Sequence, residues 1–347
     1  MTSSPTHERT STRRIILGRL LIGWVVLICA EGLSGASLRI GFWSPWTLLV
    51  TYWLYFGHFF FFTTLAIRTG KTMLPALYLW GVLLGLYESW ITKVIWSGYD
   101  GNGHFAMGKI GPYGYSEISV VFLFHPVMSF ILPLCVACIL APSLRRYFPQ
   151  LAWFSGTTRW ARAVRVYLLI ATVSVMAMNS GGPINYAVNV VLIAVLASLL
   201  YRGGRPALNS HGARNVLEFG RKGFLGLCVY LALLYALTYF KLRPNDLPSA
   251  EVQMFTFVFY AILIAGLYRA PRDEFTVEFP VQAHERNLAI RLLGSTVAAS
   301  CVASFFSGFG ILEFAVMPHF ILWTPLGFLL TVMAFAKCVR SSRCHAP

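Results

Sequence analysis

Charge is what this chain has least of. Only 12% of its 347 residues are Asp, Glu, Lys or Arg, against about 25% in a soluble domain. Acidic residues are scarcest, 13 against 28 basic ones. So few charges cannot clothe a water-facing surface of this size, which excludes an ordinary soluble fold. Motifs of soluble chemistry are missing too. There is no Walker A loop, no G-x-G-x-x-G and no H-E-x-x-H, and no aspartate-rich pair of the kind that holds magnesium and diphosphate. No cofactor or metal is therefore expected. Seven cysteines are present, but Cys29, Cys135, Cys138, Cys228 and Cys301 lie inside apolar runs, with Cys338 and Cys344 in the basic tail. The pair Cys135-x-x-Cys138 has redox or metal spacing, yet its run FILPLCVACIL offers no polar partner, so both read as small packed side chains.

What is abundant is hydrophobicity: 57% of residues are apolar and the mean hydropathy is +0.65. Apolar runs of about 20 residues, the length that spans a bilayer as a helix, recur from end to end. Only helices or closed barrels pair all their backbone groups in lipid, and these runs are too long and uniform for barrel strands. The sequence predicts an all-α, polytopic transmembrane bundle of about ten spans. A basic tail at 1–14 and another at 338–347 flank a helical domain at 15–337. The spans fall near Ile15–Ser34, Pro45–Ile67, Met73–Trp96, Ile118–Ala141, Val164–Met178, Ile184–Tyr201, Lys222–Phe240, Val252–Tyr268, Leu288–Phe309 and His319–Lys337. Only the fourth is clearly interrupted, by Pro126 and Pro133. Ser34 and Ala36 have the spacing of a signal-peptide cleavage site, but Arg19 and Glu31 break the run, which favours an uncleaved first span.

The charge of +15 belongs to loops. With the N-terminus inside, the inner side takes 23 of the 28 Lys and Arg and the outer side five, Arg39, Lys93, Lys109, Lys241 and Arg243. This bias is the positive-inside pattern and predicts both termini inside a cytoplasmic-type cell membrane, with membrane lipids as partners and no nucleic acid. Trp43, Trp46, Trp90, Trp96 and Tyr99 fall where an outer aromatic belt is expected.

The polar residues inside the spans crowd towards the outer side. They include Glu31, Glu88, Lys93, His125, Asn185 and Asn189. Glu88, within LYLWGVLLGLYESWITK, leads them, because a charged group in mid-membrane costs roughly 2.5–3.5 kcal/mol on insertion scales. Helical spacing puts Glu88 with Thr92, His125 with Ser129, and Asn185 with Asn189 on shared faces. If these faces converge, they line an outward polar cavity, with Glu88 as proton acceptor or cation ligand, His125 as its titrating partner and the two asparagines as hydrogen-bonding groups for a solute. Structural alternatives stand beside each: a Glu88–Lys93 or Glu88–Arg39 ion pair, asparagines gluing helices, and His58 bonding a backbone carbonyl. GLSG at Gly32–Gly35 resembles the G-x-S-G of rhomboid proteases, at the wrong place in the span order and without a paired histidine.

Two functions follow. The first is a permease for a small polar or ionic solute. The second is a membrane-embedded enzyme acting on a lipid or lipid-linked substrate at the outer leaflet, with Glu88 and His125 as acid and base. A purely structural role is a third. The oligomeric state is not encoded in these features.

Overall fold

The computed structural model describes residues 11–33, 43–97, 108–179, 181–209, 213–273, 282–306 and 311–343. Arg39, Tyr99, Cys344 and the end of the GLSG stretch lie outside them. The first segment is α1 (Thr12–Leu27), which widens into a π-helical turn over Ile28–Gly32. The second begins with another π turn, Thr47–Thr51, and continues as α2 (Tyr52–Thr69). The third comprises α3 (Leu74–Gly85), α4 (Tyr87–Trp90) and α5 (Val94–Ser97). A two-residue hairpin follows, β1 (Lys109–Ile110) against β2 (Tyr113–Gly114). The fourth segment is α6 (Tyr115–Ser119), a π-helical stretch at Val120–Ile131, and α7 (Leu132–Leu140). The rest is α8 (Arg159–Asn179), α9 (Pro183–Leu208), the short α10 (Arg214–Leu217), α11 (Arg221–Lys241), α12 (Ala250–Arg269), α13 (Ala283–Ser304) and α14 (Ile311–Arg343).

The chain is an all-α polytopic membrane bundle. Among the described residues, eight helices are long and apolar enough to cross a bilayer. They coincide with eight of the ten runs. The others are the broken third segment and α8, whose first turns carry Arg159, Arg162 and Arg165. The lipid-facing surface of the bundle is equally plain. On α11, Leu225, Val229, Leu233 and Leu237 are all exposed, one turn apart, and α9 repeats this with Ile184, Val188, Val191 and Val195. Such stripes are unfavourable in water and natural against hydrocarbon.

The buried core comes mainly from the first four segments. Its tightest contact is α3 against the π-helical stretch of the fourth segment, and glycine makes it possible. A Cβ on Gly81 would stand 2.5 Å from Pro126 Cα, and one on Gly85 2.9 Å from His125 Cβ and 3.0 Å from the Val121 carbonyl. Gly81 and Gly85 are one turn apart, the small-xxx-small spacing that lets membrane helices approach backbone to backbone. Pro126 removes a backbone donor from the facing helix, and the π-helical winding around it accommodates the loss.

The third segment corrects the expectation of one continuous span, and with it the statement that only the fourth is interrupted. α3 stops at Gly85, and Lys93 adopts φ 60° before α5 restarts. The left-handed region costs a non-glycine residue roughly 1–2 kcal/mol. Side chains bond four carbonyls around the break. Leu86 O accepts from Tyr260 Oη at 2.8 Å and Glu88 O from Thr92 Oγ1 at 3.2 Å. Lys93 O accepts from Ser97 Oγ at 3.1 Å and Thr92 O from Arg243 Nη1 at 3.4 Å. Irregular backbone at membrane depth persists where protein satisfies it in this way. Trp90 and Trp96 are correspondingly buried inside the bundle, not arrayed as an interfacial belt.

The fit at Gly81 has a measurable consequence. Gly81→Ala should destabilise the protein by about 1–3 kcal/mol, the usual cost of overpacking, because the facing atom is backbone and cannot swing away. Gly226→Ala, where a Cβ would meet nothing within 4 Å, should be neutral or mildly stabilising. Thermal unfolding in detergent micelles compares the two. Equal melting temperatures would remove the glycine contact from its place at the centre of the fold.

Candidate functional site

The helix break places Glu88 against His125. Glu88 Oε1 and His125 Nε2 are 3.2 Å apart, and the two residues are only 4% and 2% exposed. Gly85 sets this distance, because its missing side chain lets His125 lie on α3 one turn before Glu88. His125 Nδ1 lies 2.8 Å from Ser129 Oγ, and Nε2 also lies 3.4 Å from the Tyr87 hydroxyl. From there Tyr87 Oη stands 2.8 Å from Tyr55 Oη, and Tyr55 Oη donates to Glu31 Oε1 at 2.8 Å. A continuous line of hydrogen bonds therefore joins two carboxylates, Glu31 and Glu88, through Tyr55, Tyr87 and His125.

Donor counting gives this line a direction. A hydroxyl has one proton to donate. Tyr55 gives its proton to Glu31, so Tyr87 must donate to Tyr55. Tyr87 is then only an acceptor towards His125, whose Nε2–H is shared between Tyr87 and Glu88. The two tyrosine hydroxyls thus donate towards Glu31, and the Nε2–H of His125 stands between Tyr87 and Glu88. Burial of two ionisable groups in low dielectric requires that each be hydrogen-bonded, and here each bonds the other, with Ser129 on the second imidazole nitrogen.

The other candidates lie elsewhere. Lys93 does not pair with Glu88. Its left-handed turn carries Nζ to the C-terminal end of α11, where it donates to Thr238 O at 2.8 Å and to Leu242 O. A cation on the last carbonyls of a helix suits the helix dipole. Asn189 turns back on its own helix, its amide donating to Asn185 O at 2.7 Å and to Asn185 Oδ1 at 3.0 Å. His58 bonds the Leu54 carbonyl through Nδ1 at 2.8 Å, which makes Nε2 the acceptor for Tyr235 Oη at 3.0 Å. Cys135 and Cys138 are buried free thiols, and among the described residues no group of three or more His, Cys, Asp or Glu is placed to hold a metal.

Sequence reasoning passed over Tyr55 and Tyr87. The available signal was their depth. A tyrosine in mid-span, away from the interface, must find a partner for its hydroxyl.

A cavity of about 510 Å³ opens beside the break, lined by Trp90, Tyr235, Ala236, Tyr239, Phe240, Gln253, Phe257 and Tyr260. Its walls are almost entirely aromatic; Trp90 stacks on Phe257 with ring centres 4.5 Å apart. Two of its tyrosines lead inwards, Tyr235 to His58 and Tyr260 to the Leu86 carbonyl.

If the line of hydrogen bonds is one network, its members are energetically coupled. In a double-mutant cycle, Glu88→Gln and His125→Ala should show a coupling of about 1.5–3 kcal/mol, the range for a hydrogen bond to a charged group. Glu88→Gln and Asn189→Leu should be additive within about 0.5 kcal/mol. Denaturant unfolding of the three single variants, the two double variants and wild type decides. Additivity in the first cycle would mean that the carboxylate and imidazole are only neighbours.

A family model described as an uncharacterized membrane protein family matches residues 20–342. A protein of Archaeoglobus fulgidus, described as uncharacterized, is 28% identical over 244 residues, which are 70% of this chain and 74% of that protein. No solved structure matches the chain. With nearly all of its membrane domain under the family match, the protein belongs to this uncharacterized membrane protein family.

Proposed function

We propose that the protein is a proton-coupled permease for a small polar or ionic solute, with Glu88 and His125 as the protonation site and Glu31 as the port towards the outer side. The observation that carries this reading is the continuous line from Glu88 through His125, Tyr87 and Tyr55 to Glu31, with both tyrosines donating towards Glu31. A buried hydrogen-bonded chain between two carboxylates has little structural purpose that apolar packing would not serve better. It is the arrangement that moves a proton through a low-dielectric interior. Two further features support transport. The carboxylate stands at a discontinuous helix, the usual site of solute and ion binding in secondary transporters. His125 lies near the middle of the Tyr115–Leu140 segment, ~15 Å along it from Tyr115 at the helical rise.

A second reading keeps one observation in its favour. The aromatic cavity beside Trp90 suits an apolar substrate, which an embedded enzyme working from the outer leaflet would require. Glu88 and His125 would then be its acid and base.

Accessibility separates the two. With the seven native cysteines replaced and one placed at Ser89, beside Glu88 and fully buried, an impermeant thiol reagent is added to either face of sealed vesicles. A permease should be labelled from both faces. Glu88→Gln, a constitutively neutral side chain, should shift that labelling strongly to one face while the protein still folds and inserts. Labelling from the outer face alone, unchanged by Glu88→Gln, would reject the permease and leave the enzyme.

A further inference from the structure

The positive-inside count leaves five Lys and Arg for the outer side, and four of them gather at one corner. Lys93 Nζ is bound at the end of α11. Lys241 is the last residue of α11, is exposed, and follows the cavity residue Phe240 in the chain. Arg243 reaches across to the broken segment, donating to Thr92 O at 3.4 Å and to Ser97 Oγ at 2.8 Å, and pairs with Asp246. Lys109 Nζ donates to Trp96 O at 3.1 Å, and Trp96 meets Trp90 edge to face with ring centres 5.1 Å apart. Facing these four cations near the corner are Asp246 and Glu251, the latter in the first turn of α12. The balance is positive, on the side of the protein where basic residues are rarest.

Beneath this rim lies the aromatic cavity. It sits between α11 and α12, both long and apolar enough to span the bilayer, so the medium outside it is lipid. Its polar residue Gln253 is already engaged, accepting from Tyr239 Oη at 3.1 Å and donating to Pro248 O at 2.9 Å. The hydroxyls of Tyr235 and Tyr260 point to His58 and Leu86. What the walls offer an occupant is apolar aromatic surface, and what the rim offers is positive charge. The volume of about 510 Å³ is within the range of built ligand sites, roughly 300–1,000 Å³.

We infer that this corner is a binding site for an anionic phospholipid of the leaflet at that end of the bundle, an acyl chain lying in the cavity against Trp90 and Phe257 and the phosphate at the rim by Lys241 and Arg243. The inference does not rest on the permease reading; it holds equally if Glu88 and His125 do acid–base chemistry. Its position makes the lipid a ligand of the helix break. Trp90 ends α4, two residues after Glu88, and Tyr260 holds the carbonyl at which α3 stops. An occupied cavity fixes both.

The test uses the full chain in phosphatidylcholine nanodiscs containing graded amounts of lipid with brominated acyl chains, which quench tryptophan at contact. The difference between wild type and Trp90→Phe isolates the Trp90 signal from the other nine tryptophans of the chain's ten. Brominated phosphatidylglycerol should quench it at a mole fraction lower by about fivefold or more than brominated phosphatidylcholine, the selectivity one basic residue near the phosphate supplies. Lys241→Gln, an exposed change that leaves folding intact, should abolish most of that difference while quenching by either chain persists. Ala236→Phe, which fills the cavity, should weaken quenching by both lipids. Inorganic phosphate should not reverse the preference. Identical curves for the two lipids in wild type would overturn the site. So would a Trp90 signal indifferent to Ala236→Phe, or displacement of the lipid by free phosphate.

Discussion

The close approach of α3 to the fourth segment at Gly81 and Gly85 is the contact on which the rest depends. Two helices that meet through side chains keep their axes about 8–10 Å apart. Here the missing side chains bring backbone against backbone, with a Cβ on Gly81 set to collide with Pro126. In lipid this tightness matters more than in water, since no hydrophobic force between helices competes with packing. The consequence reaches the chemistry directly. His125, the residue just before Pro126, packs on Gly85, and from there its ring reaches Glu88. A methyl group added at Gly85 would meet the His125 side chain itself, the group that reaches Glu88.

The second dependence is the break that follows. A regular helix through Leu86–Lys93 would satisfy its own carbonyls and leave Tyr260 and Arg243 without these acceptors. Instead α3 ends early, and side chains from α12 and from the loop after α11 take over the carbonyls of Leu86 and Thr92. Lys93 contributes in the opposite sense. Its left-handed backbone costs energy, and its ammonium recovers it by closing the carbonyl end of α11. The three segments therefore hold one another: none of the interactions at this corner is local to one helix.

That non-locality explains what could be read in the sequence and what could not. Eight of the ten runs stand as helices long and apolar enough to cross a bilayer, because lipid imposes the same demand on every span, an apolar stretch of about 20 residues, and that demand is written residue by residue. The proximity of Glu31, Glu88 and His125 follows from their cost: three polar groups at neighbouring depths must find each other or water. The break was hidden, because LYLWGVLLGLYESWITK contains no proline and the side chains that bond its carbonyls, Tyr260 and Arg243, lie far along the chain. Lys93 misled for the same reason. Five residues from Glu88 it reads as an ion-pair partner, and only the turn at φ 60° shows that it faces away. Tyr55 and Tyr87 were concealed by their own chemistry, aromatic enough to pass as filler in an apolar run.

The hydrogen-bonded line ties the break to the rest of the polar interior. Glu88 and His125 are both buried, while Glu31, at the far end of the line, is partly exposed. Tyr87 begins α4 and lies directly after Leu86, the residue at which the helix is interrupted. Tyr260, which lines the aromatic cavity with Trp90, holds the Leu86 carbonyl. The carboxylate–imidazole contact, the helix break and the cavity wall therefore share residues 86–90, and a substitution at one of them must be accommodated by the packing of the other two.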